Sequence, residues 1–187
     1  MQIGIVGLGR MGANIGRRLM SKGGHHVVAY DRDAKAVAGL NGATGTGSLK
    51  ELVEKLSAPR TVWLMLPAGK ITEDTIEQLT PMLQAGDTII DGGNTYFKDD
   101  VRRAKKLREH KIFYIDVGTS GGVWGLERGY CMMIGGDKDN VQRLDPIFAT
   151  LAPGAGKIDL TPNREGRDPR VTQGYLHAGP VGSGHFV

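Results

Sequence analysis

The chain has 187 residues, 40% of them hydrophobic and 24% charged, which suits one well-cored domain and not comfortably two. Its net charge of +4 is mild, and its one cysteine, Cys131, excludes an intrachain disulfide and a thiolate metal cluster, so no metal is expected. No segment reaches the roughly 18 apolar residues of a membrane span, and no membrane partner is expected.

Gln2–Val6 (QIGIV) is a short apolar run stopped by glycine, which predicts a buried parallel strand. Met11–Ser21 carries Met11, Ile15, Leu19 and Met20 at helical spacing, and His26–Tyr30 (HVVAY) is a second strand ending at Asp31. Strand, glycine turn, helix and strand make one βαβ unit. The alternation continues with helices over Ala34–Leu40 and Ser48–Leu56, a strand over Thr61–Leu66 and a helix over Thr72–Leu83. Thr88–Asp91 reads as a strand, Asp99–His110 as a helix and Lys111–Val117 as a strand. After Gly118 the pattern predicts a glycine-rich loop, a strand near Tyr130–Ile134 and a helix around Lys138–Leu151. Thr161–Thr172, charged and broken by proline, reads as an exposed loop. The 29 glycines fall mostly at the ends of apolar runs, where tight turns need them. The expected fold is Rossmann-type α/β, a doubly wound and mostly parallel sheet with helices on both faces.

Spaced as a helix, the basic run Val101–Lys111 sets Val101, Ala104 and Leu107 on one side and leaves most of its Lys and Arg as a solvated face. Aromatic residues do not interleave with those charges, so no nucleic-acid partner is expected. Cys131 lies in the apolar stretch Tyr130–Ile134, which predicts a buried structural thiol. The N-terminus enters a strand directly, without a charged n-region and cleavage site, and a cytoplasmic location is expected.

Gly7-Leu8-Gly9-Arg10-Met11-Gly12 matches G-x-G-x-x-G between a strand and a helix, the context that makes the pattern informative for a dinucleotide. Gly7 would make the tight turn, Gly9 would admit a pyrophosphate to the backbone, and Gly12 would allow close helix–strand packing. Asp31, roughly 20 residues beyond, is placed to accept hydrogen bonds from an adenosine ribose and to repel a 2′-phosphate, which favours NAD over NADP. Arg32 beside it leaves open a pairing with a 2′-phosphate. By the open-sheet rule three small-residue loops join the site: Leu66-Pro67-Ala68-Gly69, Asp91-Gly92-Gly93-Asn94 and Gly118-Thr119-Ser120-Gly121-Gly122. Asn94 and Ser120 offer hydrogen-bonding groups for hydroxyls and carboxylates, with capping or turn formation as the alternative. Asp91 is read as a turn residue.

These segments together resemble the 6-phosphogluconate dehydrogenase family within the wider β-hydroxyacid dehydrogenases. The resemblance rests on GIVGLGRMGANI (Gly4–Ile15), DGGNTYFKDD (Asp91–Asp100), TSGGVWGLERG (Thr119–Gly129), MIGG (Met133–Gly136) and GPVGSGHFV (Gly179–Val187). The GGN segment separates it from 3-hydroxyisobutyrate dehydrogenases, which resemble D-x-S-T there. NADP-dependent members tend to carry Asn-Arg-Thr after the second strand and a lysine where this chain has Pro67; Asp31-Arg32-Asp33 and Pro67 therefore resemble the shorter, NAD-preferring branch. The resemblance implies oxidative decarboxylation of 6-phosphogluconate to ribulose 5-phosphate. Asn94, Ser120, Gly121 and Gly122 would contact substrate, and Gly7 to Gly12, Asp31, Arg32, Leu66, Pro67, Ala68 and Asn94 the cofactor. It also implies a lysine and a glutamate as the acid–base pair just after GHFV, where this chain stops. Residues 1–178 are accordingly expected to form the nucleotide domain. Residues 179–187 would begin a linker helix to an all-helical domain, and the complete enzyme would be a homo-oligomer. The 187-residue chain alone is expected to bind cofactor without turning over substrate. Alternatives are a 3-hydroxyisobutyrate-type enzyme, a non-catalytic NAD-binding module, and a nucleic-acid binder using the Val101–Lys111 face.

Overall fold

In a computed structural model, which describes residues 1–157, 159, 161–163 and 166–187, the alternating runs become one 8-stranded sheet. The first half comprises β1 (Gln2–Val6), α1 (Arg10–Gly23), β2 (His26–Tyr30), α2 (Ala34–Ala38), β3 (Thr44–Gly45), α3 (Leu49–Lys55), β4 (Thr61–Leu64) and α4 (Lys70–Leu79). There follow β5 (Thr88–Asp91), α5 (Phe97–Glu109), β6 (Phe113–Ser120), α6 (Gly125–Arg128), β7 (Cys131–Gly135), α7 (Lys138–Arg143) and α8 (Asp145–Leu151). The chain then adds α9 (Arg170–Gln173), β8 (Tyr175–Gly179) and α10 (Ser183–Phe186). The sheet order is β3-β2-β1-β4-β5-β6-β7-β8. The first six strands are parallel; β7 runs antiparallel to β6 and parallel to β8.

The central strands are buried on both faces, which is why they read as continuous apolar runs. Ile3, Ile5, Trp63, Ile90 and Ile115 pack with Ile15 and Leu19 of α1, Val141 of α7 and Phe148 of α8. Val6, Val62, Leu64 and Ile89 pack on the other face with Leu52 of α3, Ile76 and Leu79 of α4, and Leu107 of α5. Each fully buried aliphatic side chain contributes about 1.5–3 kcal/mol relative to exposure. Among the described residues no helix is long and apolar enough to cross a membrane.

The structure corrects several local expectations. Lys138–Leu151 is two helices, because Pro146 lies in the first turn of α8, where its ring and missing N–H interrupt a continuing helix. Lys111 adopts φ 57° after α5, so the next strand begins at Phe113. Gly118 to Ser120, expected in a loop, extend that strand because they pair antiparallel with Met133, Met132 and Cys131. Cys131 is exposed, since strand alternation turns Met132 and Ile134 inward and Cys131 outward. In Thr161–Thr172 the described end forms the first residues of α9, and the part on residues 164 and 165 lies outside the described residues.

Helix α5 departs most from expectation. Val101 is 52% exposed, whereas Arg103 is only 1% exposed and buries alongside Asp100, Ala104 and Leu107. Arg103 donates through Nε to Glu73 at 2.8 Å and through a terminal nitrogen to Asp91 at 3.3 Å. Glu73 also takes two bonds from Arg102, at 2.6 and 2.8 Å. The Arg102 hydrogen bonds, with Arg103 behind them, hold the Glu73 carboxyl at about 2 despite its burial. A depressed carboxyl stabilises the fold above its ordinary value of 4.5, and that contribution is lost as pH falls toward about 2. Glu73→Gln is therefore expected to cost about 1–3 kcal/mol in urea unfolding at neutral pH, with the deficit shrinking below pH 4.5. Arg103→Met, which strands Asp91 in the interior, is expected to cost about 3–5 kcal/mol. Wild-type stability in both variants would remove the network from the list of what holds the sheet.

Candidate functional site

Strand order reverses at β1, which has β2 on one side and β4 on the other, and the carboxyl ends of β1 and β4 open a crevice there. Three glycines shape its wall in different ways. Gly7 sits at φ 92° and its N–H donates to Tyr30 O at 3.0 Å, turning the chain out of β1. A Cβ on Gly12 would overlap the Gly7 carbonyl, so α1 can pack this closely only without a side chain there. A Cβ on Gly9 would meet nothing within 4 Å. The first intrahelical bond of α1 runs from Ala13 N to Gly9 O, and no side chain caps the helix. The N–H groups of Arg10, Met11 and Gly12 are thus left for an anion at a dipole end that carries no acidic residue.

The crevice has two halves that share Gly9, Met65 and Leu66. One, of 590 Å³, is bordered by Gly7, Leu8, Asp31, Arg32 and Pro67. The Asp31 carboxylate is fixed there, accepting from Leu8 N at 2.6 Å and from Asp33 N at 2.8 Å. Arg32 is exposed beside it. The other half, of 450 Å³, is bordered by Arg10, Met11, Gly12, Asn94, Ser120 and His185. Asn94 and Ser120 are exposed, and among the described residues neither side chain is engaged in a cap or turn bond. Turn formation falls instead to Asp91, which accepts from Gly93 N at 2.9 Å and from the Thr95 hydroxyl at 2.7 Å. Ala68, Gly121 and Gly122 border neither half.

Sequence reasoning missed a second layer beneath Asn94 and Ser120. Asp116, wholly buried in β6, accepts from Gly182 N at 2.7 Å and His185 N at 2.9 Å, which fixes the start of α10 against the sheet. The backbone approach is so close that Gly184 has no room for a Cβ between Asp116 O and Met133 O. His185 Nδ1 lies 2.8 Å from Asp100 Oδ2, and Asp100 Oδ1 accepts from Tyr114 Oη at 2.8 Å. Burial pulls the His185 imidazole down, but the hydrogen bond and charge of Asp100, with Asp91 and Asp116 behind it, raise it on balance. The available signal was an acid in the apolar run Lys111–Val117, a position that needs a buried donor.

A glycine turn feeding an uncapped helix at a strand-order reversal, with an acid at the end of the next strand, defines a dinucleotide-binding domain. Residues 2–161 match the family described as the NAD binding domain of 6-phosphogluconate dehydrogenase, and the chain belongs to that family. It is 38% identical over 189 residues to the NAD(+)-dependent, decarboxylating 6-phosphogluconate dehydrogenase of Haloferax volcanii, covering 100% of this chain and 56% of that protein. It is 37% identical to the NADP(+)-dependent enzyme of Bacillus subtilis (strain 168), covering 100% of this chain and 38% of the relative. The chain thus spans about half or less of these relatives. Among solved structures, Plasmodium falciparum 6-phosphogluconate dehydrogenase superposes with a TM-score of 0.85 at 27% identity, covering 100% of this chain and 38% of that one.

The two glycines at the helix start separate folding from binding. Gly12→Ala is expected to destabilise the chain by about 1–3 kcal/mol through overpacking against the Gly7 carbonyl. Gly9→Ala, pointing into open space, should leave thermal unfolding near wild type and weaken dinucleotide binding at least several-fold in calorimetry. A Gly9→Ala chain that binds as well as wild type would show that the ligand does not approach there.

Proposed function

We propose that this chain supplies the cofactor site and part of the substrate site of an oxidoreductase that converts 6-phosphogluconate to ribulose 5-phosphate with NAD. The observation that carries the reading is the shared border of the two cleft halves. A dinucleotide laid along Gly7 to Gly12 would direct its reactive end toward Asn94 and Ser120. Hydride would pass from C3 of the sugar acid to the nicotinamide, leaving a 3-keto acid that loses carbon dioxide to an enediol, which tautomerises to the ketose. In this reading Gly7, Leu8, Gly9, Arg10, Met11, Gly12, Asp31, Arg32, Leu66, Pro67, Ala68 and Asn94 serve the cofactor. Asn94, Ser120, Gly121 and Gly122 serve the substrate. The roles assigned within the chain are binding roles. The same reading takes residues 1–178 as the nucleotide domain and 179–187, whose helical part is α10 (Ser183–Phe186), as leading toward an all-helical domain, in a cytoplasmic homo-oligomer.

Preference for NAD rests on Asp31. Its carboxylate is held by two backbone N–H groups, so it cannot swing away from a 2′-phosphate. Like charges about 4 Å apart at an effective dielectric near 20 repel by about 4 kcal/mol, more than an exposed Arg32 in screening solvent offsets. Relatives of both preferences exist, so family membership does not decide between the cofactors. A 3-hydroxyisobutyrate-type reading has fold likeness behind it, since such an enzyme from Mycobacterium tuberculosis superposes with a TM-score of 0.81 at 24% identity. The Gly92-Gly93-Asn94 segment favours the sugar acid.

Titration calorimetry with NAD and NADP in turn is expected to give NAD the tighter binding by about tenfold or more, equivalent to about 1.4 kcal/mol. Asp31→Asn should narrow that gap. Tighter NADP binding would make Arg32 the dominant residue and reverse the cofactor assignment. Binding of neither would defeat the dinucleotide reading.

A further inference from the structure

His185 borders the cleft half that holds Asn94 and Ser120, yet the reading above gives it no role. Its side chain is 4% exposed, and Nε2 is buried without a hydrogen-bond partner. A buried polar nitrogen left unpaired costs about 1–3 kcal/mol, so one placed at the border of a binding cleft points to a ligand. The other ring nitrogen is committed, because Nδ1 faces Asp100 Oδ2 at 2.8 Å. The surrounding charges are unbalanced. Asp100 and Arg103 approach from α5, Asp91 from β5, and Asp116 and Tyr114 from β6. Three carboxylates therefore meet one guanidinium, and Arg103 is also shared with Glu73. Tyr114 has one hydroxyl proton to divide between Asp100 at 2.8 Å and Asp91 at 3.2 Å. The cluster is thus short of positive charge, and the imidazole is a group that can supply it.

We propose that His185 is a fixed imidazolium whose Nε2–H donates to an oxyanion of the acid bound beside Asn94 and Ser120, making it a specificity-determining residue for anionic substrates. This rests on the proposed substrate half of the cleft. Asp100 acts through His185 as a positioning residue: it holds the ring and keeps its proton. The oxyanion that meets Nε2–H is a carboxylate or a phosphate, two groups with the same acceptor chemistry. Raising the pH through the elevated imidazole value removes both the donor and the charge, so affinity for the acid falls while the contacts of Asp31 are untouched.

The test is ring-nitrogen NMR on the histidine-labelled chain, with the signals of His185 among its 5 histidines assigned by their loss in His185→Gln. At neutral pH both ring nitrogens should be protonated. D-gluconate, which carries only the carboxylate, and glucose 6-phosphate, which carries only the phosphate, are then added separately at tens of millimolar. A shift of Nε2–H with the first alone identifies a carboxylate partner, and with the second alone a phosphate partner. Asp100→Asn should lower the titration midpoint of His185 and weaken the responsive ligand by about 10-fold, the loss expected for one charge-assisted hydrogen bond. A neutral ring at neutral pH, or an imidazolium indifferent to both acids, overturns the proposal. NAD titration of the same sample separates the two readings. NAD binding with an unresponsive His185 defeats this inference alone, and absence of NAD binding defeats the dinucleotide site itself.

Discussion

Helix α1 leaves β1 at an angle set by the contact between Gly12 and the carbonyl of Gly7. Any larger residue at position 12 would push the helix off the strand and carry its first turn away from the crevice. The open space at Gly9, the N–H groups of the first turn and the reach of Leu8 N to Asp31 all follow from that one close approach. The cost is a helix end without a side-chain cap, which with glycine at the cap position forgoes only about a few tenths of a kcal/mol of local stability. Burial of Ile15 and Leu19 against the sheet holds the helix in place regardless.

A second constraint lies under β5 and β6. Strand ends in this fold carry the functional loops, and their acids point into the protein as well as toward the cleft. Asp91 closes the turn before Asn94 while anchoring Arg103; Asp116 holds α10 while lying beside Asp100. Buried carboxylates of this kind are expensive to desolvate, and they persist because each accepts several donors. The loops that meet substrate in the proposed reaction are thus fastened from below by polar bonds.

The sheet, its parallel order and the glycine turn were legible because apolar runs, helical spacing and G-x-G-x-x-G are local patterns. The place of Asp31 beside the glycine turn is legible for the same reason, by its distance from that turn. Arg103 was not, because helical spacing ranks residues by side-chain polarity, and a guanidinium is buried only when distant partners such as Glu73 and Asp91 await it. The strand character of Gly118 to Ser120 was hidden because it depends on pairing with β7. The break before Pro146 is visible in the residue itself, although the apolar period runs on across it. His185 combines these difficulties, since its role depends on an acid 85 positions away in the chain.

The reversal of β7 leaves the chain's single thiol in an unusual place. Cys131 is exposed and stands directly opposite Ser120 across the antiparallel pair, where facing side chains lie about 5 Å apart. A fluorophore attached there through the thiol would sit at the rim of the half of the crevice bordered by Asn94 and Ser120. The protein thereby carries a built-in attachment point for optical reporting of what enters that half, without any engineering of its surface.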